Sequence, residues 1–100
     1  MSKMNQKMEA AEKVLLHTYN RYQVVLEKGD GVYLYDTEGK QYLDFASGIA
    51  VCSLGYGHPK YKEALKNQID MLMHTSNLYY SKPVAKAASM LKAASQMDRV

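Results

Sequence analysis

The sequence predicts an α+β segment: an N-terminal helix, a small antiparallel three-stranded meander, a glycine-rich connection and two further helices. Three observations predict it. Apolar residues recur at helical spacing near the start and again after Pro59. Residues 24–45 alternate in period two, with two breaks made of turn-forming residues. Between these regions lies "DFASGIAVCSLGYGHP", Asp44 to Pro59, which holds three of the chain's six glycines.

Each element has its own justification. Over residues 4–19, Met8, Ala11, Val14, Leu15 and Tyr19 fall on one helical face, and Ser2 is placed to cap it. The meander, 24–45, reads "VVLEKGDGVYLYDTEGKQYLDF". Its strands are broken at Gly29-Asp30-Gly31 and at Thr37-Glu38-Gly39-Lys40, residues that make local turns or tolerate positive φ. Val32, Leu34 and Asp36 share one face and Tyr33 and Tyr35 the other; Tyr42 and Asp44 oppose Leu43 and Phe45. The connection, 46–58, follows. Pro59 then opens a helix, 59–73, because its missing N–H costs nothing in a first turn. Tyr61, Leu65, Ile69 and Leu72 form that helix's apolar stripe. After the loop "HTSNLYYSKP", Ser81 is placed to cap a last helix, 83–97, whose stripe of Val84, Ala87, Ala88, Leu91 and Ala94 is built mostly of small residues.

One hundred residues suit at most one domain with a thin core. The Ala-rich face suits close packing on something large, and "MDRV" supplies no closing element, so the chain reads as a piece of a larger fold with Val100 at the start of a buried strand. Net charge is +3. The basic residues are scattered among acidic neighbours, which is a solvated surface and not a nucleic-acid stripe. No apolar run is long enough for a membrane span or signal peptide, so a cytoplasmic location is expected. The single cysteine, Cys52, excludes an internal disulfide and fits a reducing compartment.

The candidates for chemistry are few. His17, His58 and His74 are far apart and pair with no carboxylate at ligand spacing, so no metal site is expected. His58, before Pro59, reads as a helix-start residue in preference to a general base. Cys52 sits between Val51 and Ser53 with no base beside it, which favours a buried or pocket-lining thiol over a nucleophile. Asp36, Glu38 and Asp44 belong to the meander and are expected to cap or pair. "GYG" at 55–57 matches no phosphate-binding loop. Two readings of the glycine-rich stretch stay open: a connection needing positive φ, or a pocket wall smoothed by Ile49, Ala50, Val51 and Cys52. Tyr79 and Tyr80 carry apolar rings with polar tips; they suit rim packing, a subunit contact or substrate positioning.

These residues together resemble a known family. Asp36, Gly39, Tyr42-Leu43-Asp44-Phe45, Ser47-Gly48-Ile49-Ala50-Val51, Leu54-Gly55 and His58-Pro59, followed by "ALKNQ" and "HTSNLYYSKP", are similar to the N-terminal segment of class III, fold-type I, pyridoxal-phosphate aminotransferases. The pattern is most like the acetylornithine and ornithine-type members, and it covers residues 22–100. Tyr56 departs from the family's usual His, and Cys52 from a usual Asn or Thr.

The resemblance implies an α/β parent fold with pyridoxal phosphate as cofactor. It implies ping-pong transfer of an amino group from N-acetylornithine, or a similar ω-amino donor, to 2-oxoglutarate by a homodimer in arginine biosynthesis. By the same resemblance, Ile49, Ala50, Val51 and Cys52 line the pocket for the substrate side chain, and Tyr80 and then Tyr79 shape its entrance. The Schiff-base lysine, the aspartate facing the pyridine nitrogen and the phosphate-binding turn all fall after "DRV" in such enzymes. Residues 1–100 are therefore expected to hold no catalytic or cofactor-binding residue and to be inactive alone. The alternatives are an ornithine, succinylornithine or 4-aminobutyrate aminotransferase, or a freestanding interaction module.

Overall fold

The computed structural model describes residues 2–100. They form two units, residues up to Glu63 and residues from Ala64 onward.

The first unit opens with α1 (Lys3–Glu12), where the Ser2 side chain accepts from the Asn5 N–H at 3.1 Å. The helix ends at Glu12, seven residues short of the predicted Tyr19. Beyond it the stripe's Val14, Leu15 and Tyr19 are 81%, 46% and 63% exposed, so no packing among the described residues carries the helix on. Glu12 instead draws the chain back, pairing with His17 Nδ1 at 3.2 Å and Arg21 at 3.8 Å.

The predicted meander is present as β1 (Leu26–Asp30), β2 (Tyr33–Asp36) and β3 (Gln41–Leu43), antiparallel in the order β1-β2-β3. It spans 26–43 and not 24–45, and Gly29 and Asp30, expected in the first break, lie in β1 because they pair with Leu34 and Tyr33. Asp30 faces Tyr33 across the first turn, and Leu34 faces Tyr42. A register shift between Leu26 and Lys28 marks a bulge in β1. On one face Gln41 Nε2 donates to the Tyr35 hydroxyl at 2.8 Å, and Lys28 lies 4.7 Å from the Tyr35 ring centre. On the other, Asp36 is the single buried side chain among the described residues, 4% exposed. Its Oδ1 accepts from the N–H groups of Glu38 and Lys40, both at 2.9 Å, and its Oδ2 from the Tyr42 hydroxyl at 2.8 Å. A carboxylate satisfied this fully can sit out of water, and it locks the β2–β3 turn. No apolar side chain among the described residues is buried, and the contacts internal to this unit are the ladder and the turn hydrogen bonds.

The connection is not irregular throughout. It contains one turn, α2 (Ser47–Ala50), described below. Next, α3 (Pro59–Met71) begins at the expected proline and stops two residues early. In the second unit the 72–81 loop leads to α4 (Lys82–Ser95), with Ser81 at the N-cap position but making no side-chain cap bond. The predicted end at residue 97 gives way to Gln96 in the left-handed region, φ 58°, whose N–H closes onto Lys92 O. No helix among the described residues is long and apolar enough to cross a membrane.

Candidate functional site

The most constrained backbone in the first unit follows directly from β3. Asp44 Oδ1 accepts from the N–H groups of Ala46 at 2.9 Å and Ser47 at 3.0 Å, an Asx-type turn that starts the next segment. Four successive residues then adopt positive φ: Ser47 (51°), Gly48 (60°), Ile49 (62°) and Ala50 (62°). This is a left-handed turn, closed by Ala50 N–H to Ala46 O at 3.1 Å and by Val51 N–H to Ser47 O at 2.8 Å. Each L-residue in that conformation costs about 1–2 kcal/mol, and β-branched Ile49 is the least suited. Such strain survives only where the surroundings over-determine it, and it concentrates at binding sites and ligand clamps.

The turn carries Ile49 and Ala50 and leads into Val51 and Cys52, the four residues expected as a pocket wall. Ile49 is 93% exposed and Val51 78%, Ala50 is exposed between them, and Cys52 is half-buried. Ile49 to Cys52 thus share one turn of the first unit and present a small apolar surface. Tyr79 and Tyr80 belong to the second unit, on an open groove of about 680 Å³ within residues 68–85. The Tyr80 side chain is fully exposed there, at 108%.

Behind the turn stands Tyr56. Its backbone pairs with Gly31 in both directions, Tyr56 N–H to Gly31 O at 2.7 Å and Gly31 N–H to Tyr56 O at 2.9 Å. Its ring lies against Gly29, where any Cβ would overlap it. Its hydroxyl donates to Asp44 Oδ2 at 2.5 Å. That bond holds the Asp44 carboxyl below its ordinary value, helped by the Ser47 and Ala46 N–H groups and opposed by burial. The same bond, with burial and the Asp44 charge added, pushes the Tyr56 hydroxyl well above its ordinary value. A short, charge-assisted bond of this kind is among the stronger ones a protein makes.

Asp44 and Tyr56 were not legible as a pair in the sequence. Asp44 ahead of Ser47 is a local capping signal, but nothing local links residues twelve apart. The left-handed conformation of Ser47, Ile49 and Ala50 had no signal at all, since their residue types favour the opposite hand. His58 accepts the Lys62 N–H at its carbonyl, 3.0 Å, which places it at the helix start. Among the described residues no group of histidine, cysteine and acidic side chains is arranged to hold a metal ion.

A three-stranded antiparallel meander followed by helices is consistent with the N-terminal segment of the fold-type I aminotransferases. The structure superposes on acetylornithine aminotransferase from Elizabethkingia anophelis with a TM-score of 0.90 and 32% identity, covering 99% of this chain and 26% of that one. It superposes on Plasmodium falciparum ornithine delta-aminotransferase with a TM-score of 0.92 and 28% identity, covering 98% of this chain and 25% of that one. The model of the class III aminotransferases matches residues 15–100, and the chain belongs to that family. Acetylornithine aminotransferase from Gloeobacter violaceus is 48% identical over 92 residues, which are 92% of this chain and 23% of the relative. The enzyme of the same description from Archaeoglobus fulgidus is 45% identical over 92 residues, 24% of its length. The chain spans about a quarter of the length of the curated relatives it matches.

Class III aminotransferases depend on pyridoxal phosphate. The residues present do not fit that group. Every lysine of the chain is exposed, whereas a lysine that binds the cofactor covalently needs an enclosed, partly desolvated setting to become a nucleophile. No step of cofactor chemistry follows from these residues; what Ile49 to Cys52 offer is a small, exposed apolar surface.

Proposed function

We propose that this chain is the N-terminal segment of an N-acetylornithine aminotransferase, transferring the donor's amino group to 2-oxoglutarate with pyridoxal phosphate as cofactor. The step belongs to arginine biosynthesis, in the cytoplasm, and the working enzyme is a homodimer. The observation that carries this reading is the left-handed turn at Ser47–Ala50, strained and outward-facing, in a chain 48% identical to an acetylornithine aminotransferase.

In this reading Ile49, Ala50, Val51 and Cys52 wall the part of the pocket that takes the donor's side chain. N-acetylornithine gives up its free ω-amino group and carries an uncharged acylamide at its α-nitrogen, which a small apolar wall suits, whereas the free α-ammonium of ornithine would need a carboxylate or carbonyl partner. Tyr80, with Tyr79 second, shapes the entrance. The apolar stripes of α3 and α4, exposed at Leu65, Ile69 and Leu91, suit cover by further protein, including the second subunit.

A second reading has its own support, because ornithine aminotransferases share the fold at a TM-score of 0.92. Assay of the full-length holoenzyme with N-acetylornithine, ornithine and 4-aminobutyrate, each against 2-oxoglutarate, decides between them. The expected result is the highest kcat/KM for N-acetylornithine. A higher value for ornithine would overturn the assignment in favour of the second reading.

A further inference from the structure

Asp44 and Tyr56 are not among the residues that line the turn, yet they tie it to the meander. The Tyr56 backbone is paired with Gly31, its ring is fixed over Gly29, and its hydroxyl holds Asp44 Oδ2. The other oxygen of the same carboxylate, Oδ1, accepts from the two N–H groups that open the left-handed turn. The terminal torsion of an aspartate is soft, with broad wells. A carboxylate held by the turn alone could rotate; one pinned at its far oxygen by Tyr56 cannot without breaking three hydrogen bonds together.

We propose that Asp44 and Tyr56 are positioning residues for substrate specificity: they fix the aim of Ile49 and Val51 and thereby which amino-donor side chain the wall accepts. This rests on the reading of residues 49–52 as a pocket wall. Neither group is assigned a part in proton transfer. They act through the turn, whose left-handed backbone has no intrinsic preference to hold it in place, so loss of the tie lets the wall move. Displacement of a positioning surface by about 1 Å can cost up to about a hundredfold in rate. The cost falls most on the donor that fits the wall best.

The test compares donors and does not rely on activity alone. In the full-length holoenzyme, kcat/KM is measured for N-acetylornithine, ornithine and 4-aminobutyrate in wild type, Tyr56→Phe, Asp44→Asn and Asp44→Ala. Tyr56→Phe keeps the ring over Gly29 and removes only the hydroxyl. It is expected to shrink the preference between the best and second-best donor about tenfold, chiefly through KM. Asp44→Asn keeps an oxygen for the Ala46 and Ser47 N–H groups and an amide that can donate to the phenol oxygen, so it should retain most of the preference. Asp44→Ala should lose it.

A purely structural role would lower every donor alike and leave the ratio near its wild-type value. That result in both Tyr56→Phe and Asp44→Ala overturns the proposal. Abolition of turnover in Asp44→Asn would also overturn it, because it would mark Asp44 as a chemical group. If wild type prefers ornithine or 4-aminobutyrate, the substrate assignment falls. The positioning role is then judged by whether Tyr56→Phe moves that other preference.

Discussion

Gly55 lies so close to Gly31 that a Cβ on it would stand 2.6 Å from the Gly31 carbonyl oxygen. The contact is backbone on backbone, on the same bridge that carries Tyr56, so neither side can yield by turning a side chain. Gly55 also holds φ at 73°. Gly55→Ala is therefore expected to destabilise the full-length protein by about 1–3 kcal/mol from overpacking, with about 1–2 kcal/mol more from the left-handed backbone. Gly39 is the control, with φ 84° and open space around its missing Cβ, so Gly39→Ala should show only the backbone part. Urea unfolding midpoints of the two variants decide it. Equal losses would mean that the Gly31–Gly55 approach carries no weight.

Acid should act on two carboxylates. Burial pushes Asp36 up, but the Tyr42 hydroxyl and the Lys40 and Glu38 N–H groups, with the Lys40 charge, leave it below its ordinary 3.8. Asp44 is lowered from 3.8, first by Tyr56. For a carboxyl lowered in the folded state, the unfolded chain binds more protons near that pH. The stabilisation is thus whole above about pH 4 and lost as pH falls through the lowered values. Tyr56 and Tyr42 are raised, first by Asp44 and Asp36, so their share is whole below about pH 10 and lost as pH climbs through the raised values. Stability measured against pH should fall at both ends. Asp44→Asn should flatten both slopes, and unchanged slopes would refute the assignment.

Strain and function should trade against each other at Ile49. Ile49→Gly removes a β-branched residue from φ 62°. Relief of about 1–2 kcal/mol, less a Gly entropy cost of about 0.5–1 kcal/mol, predicts a slight gain in stability. Loss of the side chain from the wall predicts about a tenfold fall in kcat/KM for N-acetylornithine, as is typical when an apolar pocket contact is removed. Thermal melts and kinetics on one preparation test both halves. A loss of stability with full activity would contradict the pocket-wall reading.

Tyr80 gives the cleanest separation of binding from folding. Tyr80 makes no buried contact among the described residues, so Tyr80→Ala should cost this segment's own packing no more than about 0.5 kcal/mol. The donor KM should rise severalfold, with a smaller rise for Tyr79→Ala. Steady-state kinetics at saturating 2-oxoglutarate measure it, and an unchanged KM in both variants would remove these tyrosines from the entrance.

What local chemistry controls was legible in the order of residues. The meander followed from period-two alternation and from Asp36, whose side chain closes its own turn through the Glu38 and Lys40 N–H groups. The start of α3 followed from Pro59, and the cap of α1 from Ser2. The positions of Ile49 to Cys52 on one stretch followed from their succession in the chain. Where a boundary depended on packing, sequence reasoning overran it: Val14, Leu15 and Tyr19 continue the helical spacing, yet nothing among the described residues buries them and α1 stops at Glu12. The hand of the Ser47–Ala50 turn, and the Asp44–Tyr56 bond that secures it, exist only once distant parts of the chain meet. Serine, isoleucine and alanine each prefer the right-handed region by about 1–2 kcal/mol, so no local signal could place them in the other. That preference is overruled by hydrogen bonds from residues on either side of the turn, brought together by the Gly31–Tyr56 bridge.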